Sequence, residues 1–123
     1  MSETISTSML QKFKDFITGH KSGDITPSEA EKIQKTSYAL THAEIKKKFS
    51  PTYLSMLPGL DSQEKQLFEA TVYYFVQIAA HKTKYHEEIV EILKNKTEEK
   101  SLNPEFREYI KQQLKNLLSK NNR

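Results

Sequence analysis

The sequence predicts an all-α domain, and three observations carry that prediction. Apolar residues recur at three- and four-residue spacing along almost the whole chain. Gly 3 and Pro 4 in 123 residues are too few for the tight turns of an all-β fold. Capping residues followed three positions later by an acid stand ahead of the apolar runs. A chain of 123 residues has the size of one compact domain, and surface scaling buries roughly two-thirds of its extended surface on folding. The expected architecture is a single domain over 1–123. It is a compact bundle of five to seven helices around a central hydrophobic helix at about 61–82.

The first helix covers about 4–18, where Ile5, Met9, Phe13, Phe16 and Ile17 form one stripe. Gly19 is placed to end it in a left-handed cap. Thr26-Pro27-Ser28-Glu29 is a capping box with proline at the first helical position, and it opens a second helix carrying Ala30, Ile33, Ser37 and Leu40. Past Leu40 the apolar stripe rotates to Tyr38, Ile45 and Phe49, and Thr41-His42-Ala43-Glu44 repeats the box pattern. A break or kink near 41 is expected. Ser50-Pro51 stops one element and opens a short turn with Tyr53, Leu54 and Leu57, before Pro58-Gly59 punctuates the chain.

Asp61-Ser62-Gln63-Glu64 is the expected start of the central helix, with Leu60 outside it as a hydrophobic staple. Leu67, Phe68, Ala70, Val72, Tyr73, Tyr74, Phe75, Val76, Ile78, Ala79 and Ala80 leave almost no polar face. Val72–Val76 favours strand by composition. The helix-favouring flanks and the lack of a pairing strand decide for helix. Tyr85, Ile89, Ile92 and Leu93 make the next stripe, ending near Asn95, and 96–102 reads as a polar connection. Asn103-Pro104-Glu105 then opens a last helix with Phe106, Tyr109, Ile110, Leu114, Leu117 and Leu118 on its buried face.

Composition excludes several kinds of protein. With Cys 0 there is no disulfide scaffold, thiolate metal site or cysteine nucleophile. Mean hydropathy is −0.72, and no apolar run approaches the ~18 residues a membrane span needs. The amino terminus carries no signal pattern, so a cytoplasmic location is expected. The net charge of +3 is concentrated at Lys46-Lys47-Lys48 and toward the carboxyl end.

No catalytic or metal set emerges from the titratable residues. His81 and His86 are five apart, roughly 140° around a helix, and so do not share a face. His86-Glu87-Glu88-Ile89-Val90 begins like a helical zinc site but has Val90 where the second histidine belongs. His20 and His42 stand isolated, and Gly19, Gly23 and Gly59 are too scattered for a phosphate loop. The Glu87/Glu88/Glu91 and Glu98/Glu99 groups lie among lysines and read as helix-surface ion pairs. No enzyme activity, cofactor or metal is expected.

Two features remain as candidate sites. Tyr73, Tyr74 and Phe75 span about 200° of helix surface, so one core face cannot take all three. Tyr73 and Tyr74, with neighbouring Val76 and Gln77, are therefore the candidate contacts for another protein or a second copy of the chain. Lys46, Lys47, Lys48, Lys111 and Lys115 are the candidate contacts for an anionic partner. Arginine occurs only at 107 and 123, which argues against forked phosphate or base recognition.

The run Pro58-Gly59-Leu60, Phe68, Val72, Phe75-Val76, Ala79, Ile89 and Ile92-Leu93, followed by the 104–118 helix, resembles the N-terminal helical domain of COMMD-family proteins. The resemblance lies in hydrophobic spacing and covers about half the chain. It implies a non-enzymatic binding or adaptor domain; the β-containing domain through which that family pairs has no counterpart in this sequence. The 61–82 helix is expected to carry more apolar surface than one bundle can cover, and with no catalytic set in view the leading expectation is a protein–protein interaction module acting as adaptor, regulator or inhibitor. The alternatives are a nucleic-acid-associated protein using its lysines, and a carrier or sensor of a small apolar ligand.

Overall fold

The computed structural model describes residues 2–19, 25–46 and 53–121. These form five α-helices: α1 (Ser2–Gly19), α2 (Pro27–Lys46), α3 (Lys65–His81), α4 (His86–Thr97) and α5 (Pro104–Asn121). Two 3₁₀ segments, Tyr53–Asp61 and Thr83–Tyr85, lie before and after α3. There is no strand among the described residues, and Val72–Val76 is helical. The all-α expectation holds. The chain falls into two compact units, 1–74 and 75–123, with the boundary inside α3.

In the first unit α1 packs along α2 and touches the 53–61 segment. Phe13, Ile33, Leu40, Met56, Leu67, Phe68, Val72 and Tyr74 are fully buried. The start of α2 is fixed as its sequence predicts. The Glu29 amide donates to Thr26 Oγ1 at 3.1 Å, and the Glu29 carboxylate accepts from the Thr26 amide at 3.3 Å. Each bond gives an acceptor to an amide that the helix itself leaves without one. Gly19 departs from expectation: it remains the last residue of α1 and does not adopt a left-handed backbone.

The expected break near 41 is absent, since α2 runs unbroken from Pro27 to Lys46. Its buried face changes chemistry there and not direction: Thr36, Ser37, Thr41 and Glu44 are all buried. The Thr41 hydroxyl donates back to the Ser37 carbonyl at 2.7 Å, a mid-helix arrangement that leaves no cap to form. Ser37 donates in turn to the Ala70 carbonyl on α3 at 2.8 Å, and the Tyr74 hydroxyl donates to Glu44 Oε1 at 3.2 Å. These two bonds tie the second half of α2 to α3.

The 53–61 segment continues through Pro58-Gly59, where punctuation was expected. Gly59 is buried against Thr71 of α3: an added Cβ would overlap Thr71 Oγ1 and lie 2.8 Å from Thr71 Cγ2. Close backbone approach, and not a positive φ, is what this glycine provides. α3 begins later than expected, at Lys65, because Asp61 is still in the 3₁₀ segment. Ser62 supplies the local turn bond, accepting from the Glu64 amide at 3.1 Å. The Glu64 carbonyl accepts the Phe68 amide at 2.9 Å.

The second unit buries Phe75, Ile78, Ala79, Ile89, Leu93 and Ile110 completely, and Leu117 nearly so. α4 packs on α5. Asn103 caps α5 as predicted: its Oδ1 accepts the Glu105 amide at 2.8 Å. The 98–102 connection is held from α5 by a guanidinium group. Arg107 donates through Nε to the Thr97 carbonyl at 2.9 Å, and through one terminal nitrogen to the carbonyls of Glu99 (2.9 Å) and Leu102 (3.3 Å). Beside it the largely buried Lys96 pairs with Glu99 at 3.1 Å. Truncating Arg107 to alanine is expected to cost about 2 kcal/mol in urea unfolding. Lysine is expected to recover only part of this, because an ammonium lacks the planar fork.

Candidate partner-binding surface

The four aromatic-site candidates do not share a surface. Tyr74 is fully buried and bonded to Glu44, and Val76 is 7% exposed. Both are therefore removed from any outward-facing patch: the Tyr74 ring and hydroxyl are spent on the core and on a buried carboxylate. Tyr73 and Gln77 remain half-buried.

The wider expectation, that residues 67–80 carry more apolar surface than the fold can cover, is overturned in most of its extent. No residue from 67 to 80 is exposed, and only Glu69, Tyr73, Gln77 and Ala80 are even half-buried. Their spacing of four, four and three is a single line along α3. The one large aromatic on that line is Tyr73.

What Tyr73 meets is Tyr38 of α2. The two ring centroids lie 4.6 Å apart with planes tilted by 53°, within the range of favourable aromatic pairs. Tyr38 is 43% exposed; among the described residues the other large apolar side chain left exposed is Leu54. Gln34 Nε2 donates to the Tyr38 hydroxyl at 3.3 Å from one turn earlier. Helix spacing explains the arrangement: Ile33, Ser37, Leu40 and Glu44 occupy the buried face of α2, which turns Tyr38 outward, and Tyr73 covers one side of its ring. The sequence did hold a signal for Tyr38. It is an aromatic residue set among Glu31, Gln34, Lys35 and His42, on a face that is otherwise polar.

Burial pushes the Tyr73 phenol above the usual tyrosine value of 10.0, and the neighbouring Tyr38 phenol adds to the effect. The folded state thus holds this proton more tightly than the unfolded chain. Stability from this group is intact below about pH 10 and is lost as pH rises through the raised folded value. Tyrosinate absorbance, compared between wild type and Tyr73→Phe, is expected to show a Tyr73 midpoint above 10. Repeating the comparison in a Tyr38→Phe background is expected to bring that midpoint down.

The lysine candidates divide between the units. Lys46 ends α2 and is exposed; Lys111 and Lys115 are exposed on α5 in the second unit. Lys47 and Lys48 lie outside the described residues. Among the described residues no group of three or more His, Cys, Asp or Glu is placed to hold a metal ion. No described helix is long and apolar enough to cross a membrane. The chain matches no protein-family model, no curated protein and no solved structure.

Proposed function

We propose that this protein is a small non-enzymatic interaction module that holds a protein partner through Tyr38 and Tyr73. One observation carries the reading: Tyr38, one of two large apolar side chains left exposed among the described residues, is held in a tilted aromatic pair with half-buried Tyr73. Tyrosine offers a large, stiff contact area at low entropic cost, and paired rings offer it already ordered. The resemblance of the hydrophobic spacing to the helical domain of COMMD-family proteins supports the same reading.

The test compares proteins captured by the wild-type chain with those captured by Tyr38→Ala and by a Tyr38→Ala/Tyr73→Ala double variant. Circular dichroism checks that the variants stay helical, and light scattering follows self-association. A partner, or a second copy, is expected to bind at least about tenfold more weakly to the variants. Capture and self-association unchanged by both variants would exclude this surface.

A further inference from the structure

The face of α2 that carries Tyr38 has a charge pattern of its own. Glu31, Lys32, Lys35, Tyr38, His42 and Lys46 are all exposed. At 100° per residue they fall within about 120° of the helix circumference. Glu31 is drawn to Lys35 at 3.0 Å. Lys32 and Lys46 stand at the two ends of the row, fourteen positions or about 21 Å apart, with Tyr38 close to the midpoint. On the α3 side Glu69 is half-buried one turn before Tyr73. Along the helix axis the order is cation, aromatic, cation, with Lys32 about 120° and Lys46 about 80° around the helix from Tyr38.

We infer that the partner segment is an acidic stretch of protein, with an apolar side chain against the Tyr38–Tyr73 pair and a carboxylate on each side of it. This rests on the reading that these tyrosines form the docking surface. Each carboxylate would meet one lysine, a match in number that a nucleic acid does not offer. A duplex carries one charge per about 1.7 Å, so a span of about 21 Å would bring roughly a dozen phosphates to two lysines. No arginine on this face supplies a fork for phosphate. The spacing sets the geometry of the partner. Its acids fall about six residues apart if the segment is extended and about fourteen if it is helical. Charge of this kind at the rim of an apolar contact sets partner choice and association rate more than total affinity.

The experiment pans a random phage-displayed peptide library against the 123-residue chain. Selected peptides are then titrated by fluorescence anisotropy against wild type, Tyr38→Ala, Lys32→Glu/Lys46→Glu and Lys32→Gln/Lys46→Gln. The expected peptides carry Asp or Glu on both sides of an aliphatic or aromatic residue. They are expected to lose about fivefold or more in affinity on either the tyrosine change or the double charge reversal, with the glutamine pair intermediate. Binders that need Tyr38 but ignore both double variants of Lys32 and Lys46 would overturn the acidic partner and leave the docking surface standing. Binders indifferent to Tyr38→Ala, or no binders at all, would overturn both. A labelled oligothymidine strand that binds more tightly than the peptides at about 50 mM salt, and weakens on charge reversal, would overturn the inference in favour of nucleic acid.

Discussion

Alanine at position 59 is expected to destabilise the protein by about 3 kcal/mol, at the upper end of what overpacking costs. The added methyl would meet the side chain of Thr71, with Cγ2 at 2.8 Å and Cβ at 2.9 Å. Thr71 cannot move aside. It is fully buried, β-branched and therefore stiff, and its hydroxyl is held by the Leu67 carbonyl at 2.7 Å. The backbone of the 53–61 segment would have to lift from α3, taking buried Met56 and Leu60 with it. Urea unfolding of Gly59→Ala, Thr71→Ala and the double variant closes a cycle. The double variant is expected to recover part of the loss, because the clashing Oγ1 and Cγ2 are gone, but not all of it, because Thr71 Cβ stays close. Strict additivity would show that this approach is not what requires glycine.

The second large effect separates two adjacent tyrosines. Tyr74→Ala is expected to cost about 4 kcal/mol, since it empties a large fully buried site. Tyr74→Phe keeps the ring and isolates the hydroxyl; losing its bond to the buried Glu44 carboxylate is expected to cost about 2 kcal/mol. Tyr73→Ala, one residue away, is expected to cost only about 1 kcal/mol, the scale of a half-exposed aromatic pair. The binding phenotype is expected to run the other way, with Tyr73 affecting partner capture and Tyr74 affecting folding. Equilibrium unfolding of the three variants checks this, and a Tyr73→Ala cost as large as that of Tyr74→Ala would contradict the division.

The helices were legible where their ends are written in local chemistry. Thr26 to Glu29 and Asn103 to Glu105 form caps from residues within three positions of each other, so no tertiary knowledge is needed to find them. Helix also prevails over strand at 72–76, where the flanks favour it. Legibility failed where polar residues enter the core. Thr41 and Glu44 look like a second capping box, yet one bonds back along its own helix and the other receives a tyrosine hydroxyl thirty residues away. A reading that equates buried with apolar takes such a face for a break. Gly59 misled for a related reason, because its cause is a side chain on another helix.

The candidate site was half legible. Three consecutive aromatics on a helix do force one of them off the main core face, and that one is Tyr73. Spacing alone does not say which neighbour it meets. Tyr38 lies thirty-five positions earlier, and its role depends on the contact of α2 with α3. Nor does spacing reveal that Tyr74 has a hydroxyl partner inside the fold.

The Arg107 clasp has an evolutionary consequence. All three of its acceptors are main-chain carbonyls, so the side chains at 97, 99 and 102 can vary without touching it. What it measures is the number of residues between the end of α4 and the start of α5. In related sequences this loop would tolerate drift in composition yet resist insertions and deletions, and any change of length would be accompanied by loss of the arginine.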